Sequence, residues 1–110
     1  MRMDIVNLLQ KDFPEARYGF IKILIQALEL HAKKNNDYNG KKVLFPATVE
    51  SLYYDVKRKF GRLYNIIEQE TQVQVDEKLE DTVIDLGNYA FLLAEEMHNN
   101  KKLKIEVVNP

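Results

Sequence analysis

The chain has 110 residues, enough to bury one core and too few for two full domains. A net charge of −1 gives no overall field for nucleic acid or an acidic partner, so phosphate recognition would have to come from a local cluster. There is no cysteine, which excludes disulfides and thiolate metal sites. The N-terminal stretch has no long apolar segment followed by small residues, and the apolar run Ala90–Ala94 is far too short to span a bilayer. The expectation is a soluble, cytoplasmic, single-domain protein.

Residues Asp4–Lys11 predict a short first helix, with Ile5, Val6, Leu8 and Leu9 turned inward. Phe13-Pro14 ends or kinks it. A second helix follows from about Glu15 to Lys34, with a seam of Tyr18, Ile21, Ile25, Leu28 and Ala32, widened by Leu24. The stretch KKNNDYNGKK, residues 33–42, is dense in Asn, Asp and Gly and predicts turns. Val43–Pro46 then crosses back as a short apolar segment.

Thr48 is placed to cap a third helix running from about Val49 to Glu70. Its seam is Val49, Leu52, Tyr53, Val56, Phe60, Leu63 and Ile67. Gly61 sits inside that helix at a cost of up to about 1 kcal/mol against alanine, which a close helix crossing or a ligand would explain. The fourth helix, Asp76–Met97, carries an apolar stripe of Leu79, Val83, Leu86, Ala90, Leu93 and Met97. Beyond Asn99-Asn100, Leu103, Ile105 and Val107 alternate with Lys102, Lys104 and Glu106, the period of a short strand or extended arm. The fold class predicted is all-α: an antiparallel bundle of about four helices over residues 1–110, with residues 100–110 as a C-terminal arm.

Three sets of side chains could carry chemistry. On the third helix, Lys57, Arg58, Lys59 and Arg62 gather cations; Lys59 and Arg62 lie three apart on one face, and Arg58 and Arg62 four apart on nearly the same face. Such cations suit a di- or triphosphate, with arginine taking two oxygens at once. The bland reading of the same residues is a solvated face with an Asp55–Lys59 pair. In the second connection, Lys34, Asp37 and Tyr38 offer a cation, a carboxylate and a ring to a nucleotide, or else cap a turn and pack at a bundle end. On the fourth helix, Glu77, Asp81 and Asp85 recur every four residues and Asn88 shares their side. Carboxylates stacked this way repel one another unless they hold a cation, and Mg²⁺ takes oxygen ligands of this kind. Acidic residues near a helix start also suit the helix dipole, an argument that covers Glu77 and fades by Asp85. His31 and His98 are solitary. No Ser-His-Asp set, glycine-rich phosphate loop or HExxH is present, and no helix-turn-helix pattern or surplus of positive charge supports DNA binding.

Lys34-Asn35-Asn36-Asp37-Tyr38, Lys59-Phe60-Gly61-Arg62-Leu63 and the helix DEKLEDTVIDLGNYAFLL (76–93) together resemble the first nucleotide-modification-associated domain family, a small helical domain of bacteriophages and their hosts. The resemblance covers most of residues 28–95; Asn39 stands before Gly40, where that family follows Asp-Tyr directly with Gly. It implies a role in nucleotide metabolism or base modification without naming a reaction. The last helix is also similar to that of the MazG-like all-helical pyrophosphohydrolases, Mg²⁺ enzymes that cleave nucleoside triphosphates. Glu77-x-x-Glu80 matches their first carboxylate pair, whereas Thr82 stands where the second pair needs Glu. The expectation is a nucleotide-binding homo-oligomer. Lys59 and Arg62 would bind phosphates, Glu77, Asp81 and Asp85 would hold Mg²⁺, and Lys34, Asp37, Tyr38 and Asn88 would contact the rest of the ligand. The alternative is a non-catalytic nucleotide-sequestering or accessory protein.

Overall fold

The computed structural model describes residues 1–38, 47–69 and 76–100; for residues 37–38 and 76–78 it describes the helix path and not the side chains. It contains α1 (Met3–Asp12), α2 (Tyr18–Tyr38), α3 (Val49–Ile67) and α4 (Asp76–Asn99), with no strand among the described residues. The all-α class follows the seams of the sequence. The predicted apolar segment Val43–Pro46 and the alternating arm beyond Asn100 lie outside the described residues. No helix among the described residues is long and apolar enough to cross a membrane. The contacts divide the chain into two compact units, Met1–Leu44 and Phe45–Pro110, each built on one helix pair.

In the first unit, α1 lies antiparallel on α2. Val6 is completely buried against Ile21 and Ile25, with Ile5, Leu9 and Ala16 packed around them. The pair is tied at both ends of α1. At the start, the Arg2 backbone N–H donates to Glu29 Oε2 at 3.1 Å. At the finish, the Gln10 amide donates to the carbonyls of Phe13 and Ala16 at 3.2 and 2.9 Å, bracing the turn that Pro14 forces. The ten residues of α1 cover ~15 Å, about half the ~31 Å of the 21-residue α2. One short helix covers only a narrow strip, so Ile21 and Ile25 of the expected seam are buried while Tyr18, Leu24 and Leu28 are exposed.

The helix α2 also runs further than the composition of residues 33–42 predicts. It continues through Asn35, Asn36 and Asp37 to Tyr38. Asn and Asp are only modest helix-breakers, less favourable than Ala by about 0.7 kcal/mol each. The first residue of the stretch able to force a stop is Gly40. Lys34, Asp37 and Tyr38 therefore belong to a helix and not to a turn.

In the second unit, Thr48 caps α3 through a reciprocal capping box. Its hydroxyl accepts from Ser51 N–H at 3.0 Å, and its own N–H donates to Ser51 Oγ at 2.8 Å. The face that α3 turns to α4 is Val49, Leu52, Val56, Lys59, Leu63 and Ile66, all buried or half-buried. On α4, Thr82 and Ile84 are buried and Leu79, Asp85, Leu86, Tyr89, Leu92, Leu93 and Met97 half-buried. Pairing Lys59 with Asp85 and Arg58 with Tyr89 makes the helices antiparallel. The predicted seams are kept in part: Val49, Leu52, Val56 and Leu63 of α3 and Leu79, Leu86, Leu93 and Met97 of α4 are buried or half-buried. Tyr53, Phe60 and Ile67 of α3 and Val83 of α4, all expected inside, are exposed.

The burial of Val6 fixes the expected effect of trimming it. Val6→Ala should lower the stability of the first unit by about 2 kcal/mol, the transfer cost of the lost methyl groups plus the cavity left behind. Urea denaturation followed by far-UV circular dichroism measures it, and an effect below about 0.5 kcal/mol would contradict the packing described.

Candidate functional site

The side chains singled out on α3 and α4 separate into an inner pair and an outer face. Lys59 falls in the α3 row facing α4, between Val56 and Leu63. Its ammonium cannot be left in an apolar seam without a partner. It donates from Nζ to Asp85 Oδ2 at 3.2 Å, and the two side chains keep only 15% and 20% of their exposure. The phosphate-binding candidate and one metal-binding candidate are thus each other's counter-ion. The expected Asp55–Lys59 pair does not form. Asp55 instead accepts from Arg58 Nη2 at 3.0 Å. That carboxylate, with a smaller contribution from the Tyr89 hydroxyl, raises the Arg58 pKa above its ordinary value.

Arg62 points the other way. It is exposed and makes no ion pair among the described residues. With Arg58 one turn before it and Gly61 beside it, it forms an outer basic face, bordered by Tyr54 with Lys57 Nζ 6.0 Å over its ring. A methyl group built on Gly61 would meet nothing within 4 Å. Among the described residues no close helix crossing explains this glycine, which is half-buried.

On α4, Asp81 is exposed and Asn88 half-buried; the Glu77 side chain lies outside the described residues. Among the described residues, no three His, Asp or Glu side chains stand close enough to share a metal ion. Asp85 turns toward α3, whereas Asp81, four residues earlier, stays in solvent. Lys34 is exposed on α2, in the first unit; Asp37 and Tyr38 end the same helix, and their side chains are outside the described residues. His31 and His98 stay solitary in the sense that neither joins a metal-binding group among the described residues.

Tyr89 is the residue that sequence reasoning passed over. Its signal is its place four residues after Asp85, in a row of mixed polarity that a search for apolar stripes skips. No protein-family model, curated protein or solved structure matches the chain.

The inner pair predicts a specific pattern of coupling. Asp85→Leu alone leaves a half-buried ammonium without its counter-charge, and Lys59→Met alone does the same to the carboxylate. The double substitution removes both charges and should recover part of the loss. A double-mutant cycle by urea denaturation should give a coupling of roughly 1–2 kcal/mol. Additive effects of the two substitutions would show that the pair does not form.

Proposed function

We propose that the chain binds a nucleotide or a similar phosphorylated small molecule on the outer face of α3, as a nucleotide-handling or accessory protein in which binding precedes any chemistry. The observation that carries the reading is the division of the basic cluster. Lys59 is occupied by Asp85, while Arg62 is exposed beside Gly61, where an added methyl group would meet nothing within 4 Å. An exposed guanidinium suits bidentate capture of phosphate oxygens, and Arg58 one turn away adds a second. Tyr54, at the border of the same face, supplies a ring for a base to stack on. The resemblance of this segment to a nucleotide-modification-associated family agrees with that chemistry.

The geometry supports binding more strongly than hydrolysis. A carboxylate already neutralised by lysine is a poor Mg²⁺ ligand, and a metal on Asp85 would have to displace Lys59. Mg²⁺ therefore enters the proposal as a companion of the bound phosphates. Lys34, with Asp37 and Tyr38 at the end of α2, is a separate candidate contact in its own unit.

A panel of NTPs, dNTPs, NMPs and inorganic pyrophosphate, with and without Mg²⁺, tests this by thermal shift and by chromatography of the products. Binding is expected to raise the melting temperature without turnover. Arg62→Ala should weaken it at least about tenfold, the equivalent of 1.4 kcal/mol. Gly61→Ala should stabilise the free protein by up to about 1 kcal/mol and reduce binding. If no phosphorylated compound shifts the melting temperature, the reading fails. Turnover that needs Mg²⁺ and is lost in Asp85→Asn would replace it with the hydrolytic one.

A further inference from the structure

The outer face of α3 has an order along the helix axis. Tyr54 stands at its N-terminal end, 61% exposed. Its ring meets that of Tyr53 edge-on, with centroids 5.4 Å apart and planes at 64°, and Lys57 Nζ lies 6.0 Å from its centroid. Arg58 and Arg62 follow on the same side of the helix, ~6 Å and ~12 Å beyond Tyr54 at ~1.5 Å per residue. Helical side chains lean toward the N-terminus, and Arg58 reaching back to Asp55 at 3.0 Å agrees with that lean. The row leans alike, so the spacing of the residues carries over to their functional groups. Gly61 lies between Arg58 and Arg62, and no neighbouring side chain closes over it: an added methyl group would meet nothing within 4 Å. The face therefore reads, in order, as a ring, two cations, a gap and a third cation.

We propose that this row takes a nucleoside di- or triphosphate in one direction, with the base on Tyr54, the base-proximal phosphate at Lys57 and Arg58, and the terminal phosphate at Arg62. It rests on the phosphate-binding reading of this face and adds the length of the ligand, its orientation and one binding residue, Lys57. Length selects the class. A nucleoside monophosphate stacked on Tyr54 carries its phosphate one sugar away from the base, within reach of Lys57 and Arg58. It ends a helical turn short of Arg62, and further phosphates are what span that turn. An inorganic polyphosphate could join Arg58 to Arg62 but leaves the ring unused. Charge agrees with a polyanion: Lys57, Arg58 and Arg62 stand against one carboxylate, Asp55, that pairs with any of them among the described residues. Asp55 takes only the Nη2 edge of Arg58, and the five N–H donors of a guanidinium leave other edges for phosphate. Stacking on tyrosine tolerates any base, because every base has a π-face, so the row reads the number of phosphates and not the identity of the base.

Isothermal titration calorimetry of the full chain with ATP, CTP, AMP and inorganic triphosphate, each with excess Mg²⁺, tests the row. ATP and CTP are expected to bind within about threefold of each other, and at least about tenfold more tightly than AMP or inorganic triphosphate. Arg62→Ala should weaken ATP at least about tenfold and AMP less than about twofold. Tyr54→Leu should weaken ATP and AMP at least about fivefold and inorganic triphosphate less than about twofold, while Tyr54→Phe keeps the wild-type affinities. Lys57→Gln should weaken ATP and AMP alike. AMP binding as tightly as ATP overturns the row, and so does an Arg62→Ala penalty equal for AMP and ATP; either result leaves phosphate binding at this face standing. Inorganic triphosphate binding as tightly as ATP overturns the place of the base. If none of the four compounds binds, the phosphate-binding reading falls and the row falls with it. The wild-type comparisons decide the matter if far-UV circular dichroism shows that a variant fails to fold.

Discussion

The half-buried pair between Lys59 and Asp85 is the constraint on which the second unit depends. A lone ammonium in the middle of a helix–helix seam would be strongly unfavourable, and so would a lone carboxylate; brought to 3.2 Å they satisfy each other. The net stabilisation from such a pair is small, because desolvation offsets most of the attraction. Its effect on register is large. Sliding α3 along α4 by one turn, or rolling it by one residue, would strand both charges at once, whereas leucines in the same places would tolerate either slip. The rotation of α3 about its axis follows from that requirement. So does the exposure of Arg62, which lies three residues on and is carried round to solvent.

One salt bridge thus sorts a basic cluster into two environments. In sequence, Lys57, Arg58, Lys59 and Arg62 form a single patch. In space, Lys59 pairs with Asp85 of α4, Arg58 pairs with Asp55, and Arg62 is exposed. The acidic series on α4 is sorted by the same contact, with Asp85 drawn inward and Asp81 left outside. A phosphate arriving at Arg62 would come within the field of Lys59 without having to break its bond to Asp85. The ion pair would then support the binding face from behind as a positioning contact.

The sequence disclosed the helices more readily than their faces. Thr48 with Ser51, and Phe13-Pro14, marked ends that the structure keeps, because caps and prolines act locally. α2 runs past the end that residues 33–42 suggest, because Asn and Asp lack the breaking strength of glycine or proline. The predicted α3 and α4 seams hold in part: Val49, Leu52, Val56, Leu63, Leu79, Leu86, Leu93 and Met97 are buried or half-buried, whereas Tyr53, Phe60, Ile67, Val83 and Ala90 are exposed, because Lys59 and Asp85 take places in the contact that hydrophobic periodicity does not count. Lys59 and Asp85 each appeared in the sequence as candidates for a ligand, 26 residues apart. Nothing along a single chain shows that two helices bring them together. Gly61 shows the reverse case, an oddity legible in sequence whose packing explanation the open space around it removes.

The make-up of the seam carries physical information of its own. Val49, Leu52, Val56, Leu63 and Ile66 of α3 are buried or half-buried, and on α4 polar Thr82, Asp85, Tyr89 and Glu96 share that state with Leu79, Ile84, Leu86, Leu92, Leu93 and Met97. The ion pair therefore sits inside a seam that also buries aliphatic side chains, and those side chains supply most of the burial that offsets the backbone entropy of the hairpin. The aliphatic contacts would tolerate a slip or a roll, whereas Lys59 and Asp85 would not, so stability and register in the second unit come from different residues of one seam.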